Sequence, residues 1–254
     1  VGDYFGLSVS LSGDTLAVGA VNDDSSQTSI TNTDNSSSTN SSASNSGAVY
    51  VFHRSGTSWI QDAYIKPSNA EAYDYFGGQV TLSGDLMAVY ASCEDSNQTT
   101  ITNGTSSSSN NDNGTSGAVY VYTRSGTSWS QQAYIKASNA EAGDFFGYSV
   151  SIFGDTLAVG ASQEASNQKT ITNGTSSSSN NGASGSGAVY IYTRSGNNWS
   201  QQAYIKPSNT VSQITFGFSL HLEGDLLIVS AYSESSNATT NSYGSTASSD
   251  TSVT

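Results

Sequence analysis

The sequence predicts an all-β fold made of four-stranded antiparallel sheets in tandem. Its 254 residues contain a repeat with a period of about 70 residues, and the segments within each repeat alternate between apolar and polar residues. No segment shows a convincing helical period. The period is set by Trp59, Trp129 and Trp199, and by a Gly-Ala-Val-Tyr string that begins at Gly47, Gly117 and Gly187.

The first two predicted strands of a repeat form a tight hairpin. In strand one, Leu7, Val9 and Leu11 face one side and the intervening serines face the other, which is typical of a half-buried strand. The turn that follows is Gly13-Asp14, and Gly at the first central position suits a type II′ turn because this position needs a positive φ. We expect the aspartate of this turn to cap the backbone.

The other two strands complete the sheet. Strand two, residues 16–20, is apolar on both faces, as expected for a strand that is covered on both sides. Strand three covers residues 48–52 and is followed by a second turn at residues 54–57. Strand four runs from Trp59 to Lys66; in the second repeat, Trp129 shares a parity with Ala133 and Ile135, and Lys136 lies on the polar parity.

Four-strand units with short turns, repeated in tandem, indicate the blades of a β-propeller. A β-sandwich would not need such close repetition of each unit, and a β-solenoid normally has a much shorter period. The strings at 143–147 (Gly-Asp-Phe-Phe-Gly) and 154–161 (Gly-Asp-Thr-Leu-Ala-Val-Gly-Ala) resemble the FG-GAP repeat of integrin α-subunit heads and microbial surface proteins. The resemblance covers nearly all of each repeat. It implies one FG-GAP region over 1–254, with blades at about 1–71, 72–141 and 142–211 and a partial blade at 212–254.

Two departures from the family pattern limit what the resemblance implies. The proline of the GAP element is replaced by Val21, Ser92, Ser162 or Tyr232. The calcium loop that the family carries between strands one and two is reduced to a two-residue turn, and one aspartate cannot supply the six or more oxygens that calcium needs. We therefore expect no cofactor and do not assign the family's calcium site to this chain.

An acidic residue recurs just after strand two, at Asp23, Glu94, Glu164 and Glu234. These residues are weak candidates for a ring of metal-binding carboxylates at the rim of the propeller. The alternative, which we favour, is a solvated loop start that discourages edge pairing.

Long polar loops follow strand two in every repeat, each of about 25 residues. The string at residues 101–111 recurs unchanged at 171–181, which either recent duplication or function explains. By resemblance, these loops lie on the face that binds partners. They also carry most of the Asn-X-Ser/Thr acceptors for glycosylation, which are Asn35, Asn40, Asn97, Asn103, Asn113, Asn173, Asn198 and Asn237.

Composition argues against several classes of function. The net charge is −13, and the seven Lys and Arg residues form no basic patch, so we expect neither nucleic acid nor an anionic membrane surface as a partner. No apolar run is long enough to be inserted in a membrane. The two histidines, His53 and His221, lie in no ligand-spaced cluster, and nothing marks a catalytic triad, so we expect no enzyme.

The leading interpretation is an extracellular or cell-surface structural and adhesion protein that presents polar loops, as a glycoprotein where the acceptors are used. The last blade is partial, which predicts either a segment of a larger propeller or an array that neighbouring copies complete, such as a filament. Expected partners are copies of the chain, other surface proteins, or glycans. The alternative interpretation is a carbohydrate-binding propeller lectin with Trp or Tyr stacking between blades.

Overall fold

The structure is a computed structural model that describes residues 2–33 and 40–235. All regular structure in this part of the chain is β-strand. The all-β prediction is therefore confirmed. Residues 236–254, into which the predicted partial blade extends, lie outside the described residues.

The strands form four sheets, which we number as blades in chain order. The first blade contains β1 (Phe5–Ser12), β2 (Thr15–Ala20), β3 (Ala48–Ser55) and β4 (Ser58–Ile65). The second contains β5 (Phe76–Ser83), β6 (Leu86–Ala91), β7 (Ile101–Asn103), β8 (Ala118–Ser125) and β9 (Ser128–Ile135). The third contains β10 (Phe146–Phe153), β11 (Thr156–Ala161), β12 (Ile171–Asn173), β13 (Ala188–Ser195) and β14 (Asn198–Ile205), and the described part of the fourth contains β15 (Phe216–Glu223) and β16 (Leu226–Ala231).

The strands of each sheet pair in the predicted order, and every pair is antiparallel. The first sheet runs β1-β2-β3-β4, whereas the second and third gain a short fifth strand, β7 or β12, outside strand four. The sequence did not predict this strand, because three residues within a polar loop give too short a pattern. In the first blade, a single bridge between Thr31 and Tyr64 takes its place.

Both predicted turns are two-residue hairpins. Ser12 pairs with Thr15 around Gly13, which has a φ of 57°, and Asp14 does not share this positive φ, as a type II′ turn requires. The side chain of Asp14 does not cap the backbone as expected. Its carboxylate accepts two hydrogen bonds from the Arg54 guanidinium, at 2.8 and 2.6 Å, and thereby ties this turn to strand three.

Each blade packs its sheet face to face on the next one. We call the face toward the following blade the forward face and the face toward the preceding blade the rear face. The forward face is lined by small and β-branched residues, such as Val119, Val121 and Ala133 of the second blade. The rear face carries the aromatic residues, such as Tyr190 and Trp199 of the third blade, which are buried against that forward face. Aromatic rings thus pack on a smooth aliphatic surface at each interface.

Backbone also meets backbone between blades. Gly117 has a φ of 79°, and a Cβ there would lie 2.2 Å from the carbonyl oxygen of Phe146 in the next blade. The Phe146 amide donates to the carbonyl of Ser116 at 2.9 Å. The glycine of the Gly-Ala-Val-Tyr string is therefore required because the backbones of two adjacent blades approach each other closely there.

The first strands of the four blades lie side by side around a central cavity of about 1000 Å³. Their serines join neighbouring blades: Ser10 Oγ accepts from the Leu82 amide at 3.0 Å, and Ser151 Oγ accepts from the Leu222 amide at 3.0 Å. Ser8 Oγ donates to the Gly77 carbonyl at 2.7 Å. The serines on the polar side of strand one therefore form hydrogen bonds between adjacent blades in addition to lining the cavity.

The first blade differs from the second and third because its rear face is uncovered in the described structure. Phe5, Val9 and Leu11 are exposed by 58%, 62% and 62%, whereas their counterparts Phe76, Val80 and Leu82 are buried. On the fourth blade, Leu226 and Ile228 are exposed on the forward side. Apolar residues of a rear face are therefore exposed at one end of the described structure, and apolar residues of a forward side are exposed at the other.

Candidate functional site

The long loops between strands two and three leave the same end of the first three blades, and their described parts follow a common path. In the second blade, the side-chain amide of Gln98 donates to the carbonyl of Thr100 at 2.8 Å and to Thr102 Oγ1 at 2.9 Å. Gln27 and Gln168 make the same two bonds in the first and third blades. β7 and β12 then fasten the loops to the outer edge of strand four. The polar sequence therefore encodes a repeated, bonded conformation.

Asp23, Glu94 and Glu164 are buried at the base of these loops, which corrects the expectation of a solvated loop start for these three residues, whereas Glu234 is partly exposed. Glu94 is 2% exposed and accepts from the Lys136 ammonium at 2.7 Å and from the Tyr134 hydroxyl at 2.6 Å. Lys136 Nζ also donates to Ser116 Oγ at 2.7 Å, and this hydroxyl donates to the carbonyl of Ser96 in the loop. The cluster thus joins strand four, strand three and the loop start.

The same cluster recurs in the neighbouring blades. In the third blade, Glu164 accepts from Lys206 at 2.8 Å and from Tyr204 at 2.9 Å. In the first blade, the shorter Asp23 accepts from Tyr64 at 2.8 Å, but its contact with the Lys66 ammonium lengthens to 3.4 Å. The recurring lysine after strand four was the sequence signal for this cluster, since the chain has few basic residues.

Burial dominates the electrostatics of the cluster. It lowers the pKa of Lys66 to about 8 and lowers that of Lys136 and Lys206, although the adjacent carboxylates oppose this shift. Burial also raises the pKa of Tyr134 and Tyr204 well above its usual range. The Lys66 and Lys206 ammoniums each donate to a carboxylate, a hydroxyl and a carbonyl, and the Lys136 ammonium donates to a carboxylate and a hydroxyl. The cluster is therefore arranged for structure and not for exchange with a ligand.

A second buried carboxyl lies close by. Asp74 and Asp144 belong to the motif that opens the second and third repeats, and they are 6% and 5% exposed. Burial raises the pKa of Asp74 to about 8 and that of Asp144 to about 7, with Glu94 or Glu164 adding to the shift. Each accepts a backbone hydrogen bond, from Glu71 or Glu141. Ile214 holds this position in the fourth blade.

The weak metal candidates are not gathered around a common point. Asp23, Glu94 and Glu164 each lie with the lysine of their own blade, and Glu234 accepts from Asn209 at 3.2 Å. Within residues 2–33 and 40–235, no three His, Cys, Asp or Glu side chains are grouped so that they could hold a metal ion.

The tryptophans lie at equivalent positions on the rear face. Trp129 and Trp199 are each 2% exposed, whereas Trp59 is 46% exposed because no described blade covers it. The loop of the preceding blade clamps the backbone at this position: Asn103 Oδ1 accepts from the Trp199 amide at 2.8 Å, and Asn103 Nδ2 donates to its carbonyl at 3.3 Å. Asn32 clamps Trp129 in the same way.

The candidate glycosylation sites predicted from the sequence lie in different environments. The Nδ2 atoms of Asn40, Asn97, Asn103 and Asn113 all donate to protein atoms. Asn173 and Asn198 are exposed and make no side-chain hydrogen bond to a described residue. Asn35 and Asn237 lie outside the described residues.

The two histidines lie far apart in the fold. His53 of β3 contacts the buried carboxylate of Asp62, with Nδ1 and Oδ1 2.5 Å apart. His221 of β15 is exposed at the central cavity, 3.9 Å from Glu223. In the described part of the chain, no serine or cysteine bonds to either imidazole.

The fold and these recurring interfaces define a β-propeller-type repeat protein. The chain belongs to the FG-GAP repeat family: the family model described as "FG-GAP repeat" matches residues 1–52, 59–122, 129–192 and 199–246. This confirms the resemblance drawn from the sequence. No curated protein matches the chain.

Membership of this family narrows the range of functions but does not identify a ligand. FG-GAP repeats occur in extracellular, adhesion-type proteins, and the propellers that they form are generally non-enzymatic. No helix among the described residues is long and apolar enough to span a membrane.

Proposed function

We propose that the chain is a non-enzymatic extracellular or cell-surface scaffold that acts in structure or adhesion by presenting ordered polar loops from one face. The repeated conformation of the loops carries the proposal. The glutamine bonds, the short outer strand and the buried lysine cluster fix the loops of the second and third blades in the same way, so the face presents the same polar surface twice. A polar loop geometry that recurs on one exposed face of a rigid scaffold favours a binding role.

Adhesion by the loop face is tested by selective blocking. In a Cys93→Ser background, a polyethylene glycol chain is attached through Ser109→Cys on a loop or through Thr127→Cys on the opposite turn; both native residues are exposed. Beads coated with the chain should adhere to cells of the source organism, and the loop-attached polymer should abolish this adhesion while the turn-attached polymer does not. Failure of the unmodified beads to adhere, or equal inhibition by both polymers, would contradict the proposal.

The uncovered rear face supports association with a second copy of the chain. In the described structure, the rear faces of the second and third blades are each covered by the forward face of the preceding blade. Leu226 and Ile228 are exposed on the forward side of the fourth blade and could cover such a face in another copy. Contacts of this kind are heterologous, so copies would join head to tail in a ring or a filament. Sedimentation velocity should show association that rises with concentration and is lost in the Val9→Asp/Leu11→Asp variant but kept in Thr57→Asp.

Glycosylation is proposed at Asn173 and Asn198. Their side chains are exposed and make no inter-blade bond to a described residue, whereas a glycan on Asn103 would remove the donor that clamps Trp199. Glycopeptide mass spectrometry of the secreted chain from a glycosylating host should find sugar on Asn173 and Asn198. Sugar on Asn103 with neither of these occupied would contradict the assignment.

A lectin is the second candidate, and a cleft between the second and third blades favours it. The cleft has a volume of about 300 Å³ and is lined by side-chain amides of Asn103, Gln131, Gln132, Asn197 and Asn198. Amides both donate to and accept from sugar hydroxyls. The burial of Trp129 and Trp199 removes the stacking surfaces expected from the sequence, so recognition would rest on hydrogen bonds. Binding on a glycan array that is lost in Asn198→Ala would favour the lectin, and an array with no binding would rule against it.

A further inference from the structure

Three buried polar atoms at the interface between the first and second blades have no hydrogen-bond partner among the described protein atoms. One is the hydroxyl of Tyr122, and the other two belong to strand four of the two blades. They are Asp62 Oδ2 and the indole Nε1 of Trp129. The residues are 5% and 2% exposed, so bulk water does not reach either atom. Buried polar groups are nearly always hydrogen bonded. One of these two atoms is an acceptor and the other is a donor.

The next interface shows how the two atoms are related. There, Trp199 Nε1 donates directly to Gln132 Oε1 at 2.9 Å. Gln132 and Asp62 hold the same bulged position in strand four, because β8–β9 and β3–β4 pair in identical register. The asparagine clamps place Trp129 against the first blade as Trp199 is placed against the second. The Trp129 indole therefore points toward the Asp62 side chain.

Asp62 cannot reproduce the direct bond. Its side chain is one methylene shorter than that of glutamine, which withdraws the acceptor by about 1.5 Å, the length of one carbon–carbon bond. Its Oδ1 atom is also held by His53 Nδ1 at 2.5 Å, and Thr123 replaces this histidine in the second blade. An acceptor withdrawn by that distance lies beyond hydrogen-bond range of the indole.

We propose that this interface binds one water molecule between Trp129 and Asp62. The indole N–H donates to the water oxygen, and the water donates one hydrogen to Asp62 Oδ2. The ligand must be neutral, about the size of water, and able both to accept and to donate. A cation would be repelled by the positively polarised hydrogen of the indole N–H, and an anion would be repelled by the carboxylate of Asp62. A water in such a site commonly makes two to four hydrogen bonds and occupies about 30 Å³.

This site would make the first interface chemically different from the second. In the first interface, a chain of hydrogen bonds would run from the partly exposed His53 through Asp62 and the water to the buried indole of Trp129. In the second, one amide of Gln132 accepts from Trp199 and also donates to Asn197 at 3.4 Å. The proposal does not depend on adhesion or self-association.

The water is detected by nuclear magnetic resonance on the unmodified, isotope-labelled chain. A water-selective Overhauser experiment should give a cross-peak from long-lived water to the Trp129 indole hydrogen and none to that of Trp199, which is bonded to glutamine. A water cross-peak at the indole hydrogens of both Trp129 and Trp199, or at neither, would overturn the proposal.

Exchange of the two interfaces provides a matched pair of variants. The His53→Thr/Asp62→Gln variant recreates the second interface and should lose the Trp129 cross-peak. The Thr123→His/Gln132→Asp variant should create a cross-peak at Trp199. A Trp129 cross-peak that survives the first exchange would overturn the assignment of Asp62 as the partner of the water, and the unmodified spectrum would still report on the site if a variant failed to fold.

Discussion

The first and second blades have nearly the same sequence pattern, but the corresponding side chains are buried to different extents. Trp129, Phe76 and Leu82 are enclosed in the second blade, whereas Trp59, Phe5 and Leu11 occupy the same positions in the first blade and are largely exposed. The buried ion pair is also tighter in the second blade, at 2.7 Å against 3.4 Å. The comparison teaches that the neighbouring blade, as much as the local sequence, decides how strongly a residue stabilises this fold.

The largest expected effect comes from the ion pair of the second blade. Lys136→Met should lower the free energy of unfolding by about 3–5 kcal/mol, because it leaves the Glu94 carboxylate buried without its cation. Lys66→Met should cost less, since the Asp23 contact is longer. Urea unfolding followed by fluorescence measures both. A Glu94→Gln/Lys136→Met variant should recover most of the loss, and an equal loss in the single and double variants would show that the charge is not the cause.

The tryptophans give the most direct comparison of the two rear faces. Trp129→Ala should cost about 3–5 kcal/mol, as large-to-small changes in a core do. Trp59→Ala should cost about 1 kcal/mol, because nearly half of the side chain stays in water. Urea unfolding followed by circular dichroism measures both without relying on tryptophan fluorescence. Equal costs at low protein concentration would mean that the rear face of the first blade is covered in solution.

The buried aspartate predicts a dependence of stability on pH. The folded pKa of Asp74 is about 8, above its ordinary value of 3.8, so the folded state binds this proton more tightly than the unfolded chain does. Its contribution is fully present below pH 3.8 and is lost as the pH rises through about 8. Asp74→Asn should reduce the fall in unfolding free energy between pH 4 and 8, as measured by urea unfolding at each pH. Asp144→Asn is the matched change in the third blade, and an unchanged slope in both variants would contradict the prediction.

The smallest effect is expected at the hairpin turns. Asp85→Ala removes the ion pair with Arg124, at 2.7 Å, but the aspartate side chain is 66% exposed. Such surface pairs contribute about 0–1 kcal/mol, so the urea midpoint should change little. Asp14→Ala in the first blade should also have little effect, because its aspartate is similarly exposed and Arg54 is more exposed than Arg124. A large loss at either turn would show that the turn is coupled to the core.

The sequence predicted the fold because its signals are local and repeated. The alternation in residues 7–11, the glycine turns and the spacing of the tryptophans each specify one strand or one hairpin, and the blades confirm them. The fifth strand was missed because Ile101–Asn103 is too short to show a period. Its position depends on hydrogen bonds to a strand that follows about thirty residues later along the chain.

The buried cluster was misread for a related reason. Glu94 follows a strand and begins a polar loop, which is typical of solvated carboxylates, and Lys136 lies on the parity assigned to the polar face. Their meeting depends on the path of the loop over strand three and on a bulge at Gln132 that changes the parity of strand four. A pattern of residues within one strand cannot show either event. The equal spacing of the acidic residues and the lysines was the one signal that linked them.

The asparagine clamp has a consequence for how such a protein changes length. An asparagine of the first repeat holds the backbone of the second, and an asparagine of the second holds the backbone of the third. The second repeat therefore carries both the clamp and the backbone segment that the preceding clamp holds. A gene segment copied in tandem therefore brings both halves of the joint, and the new joint needs no compensating substitution. Gain or loss of whole units by unequal recombination would therefore leave the remaining joints intact.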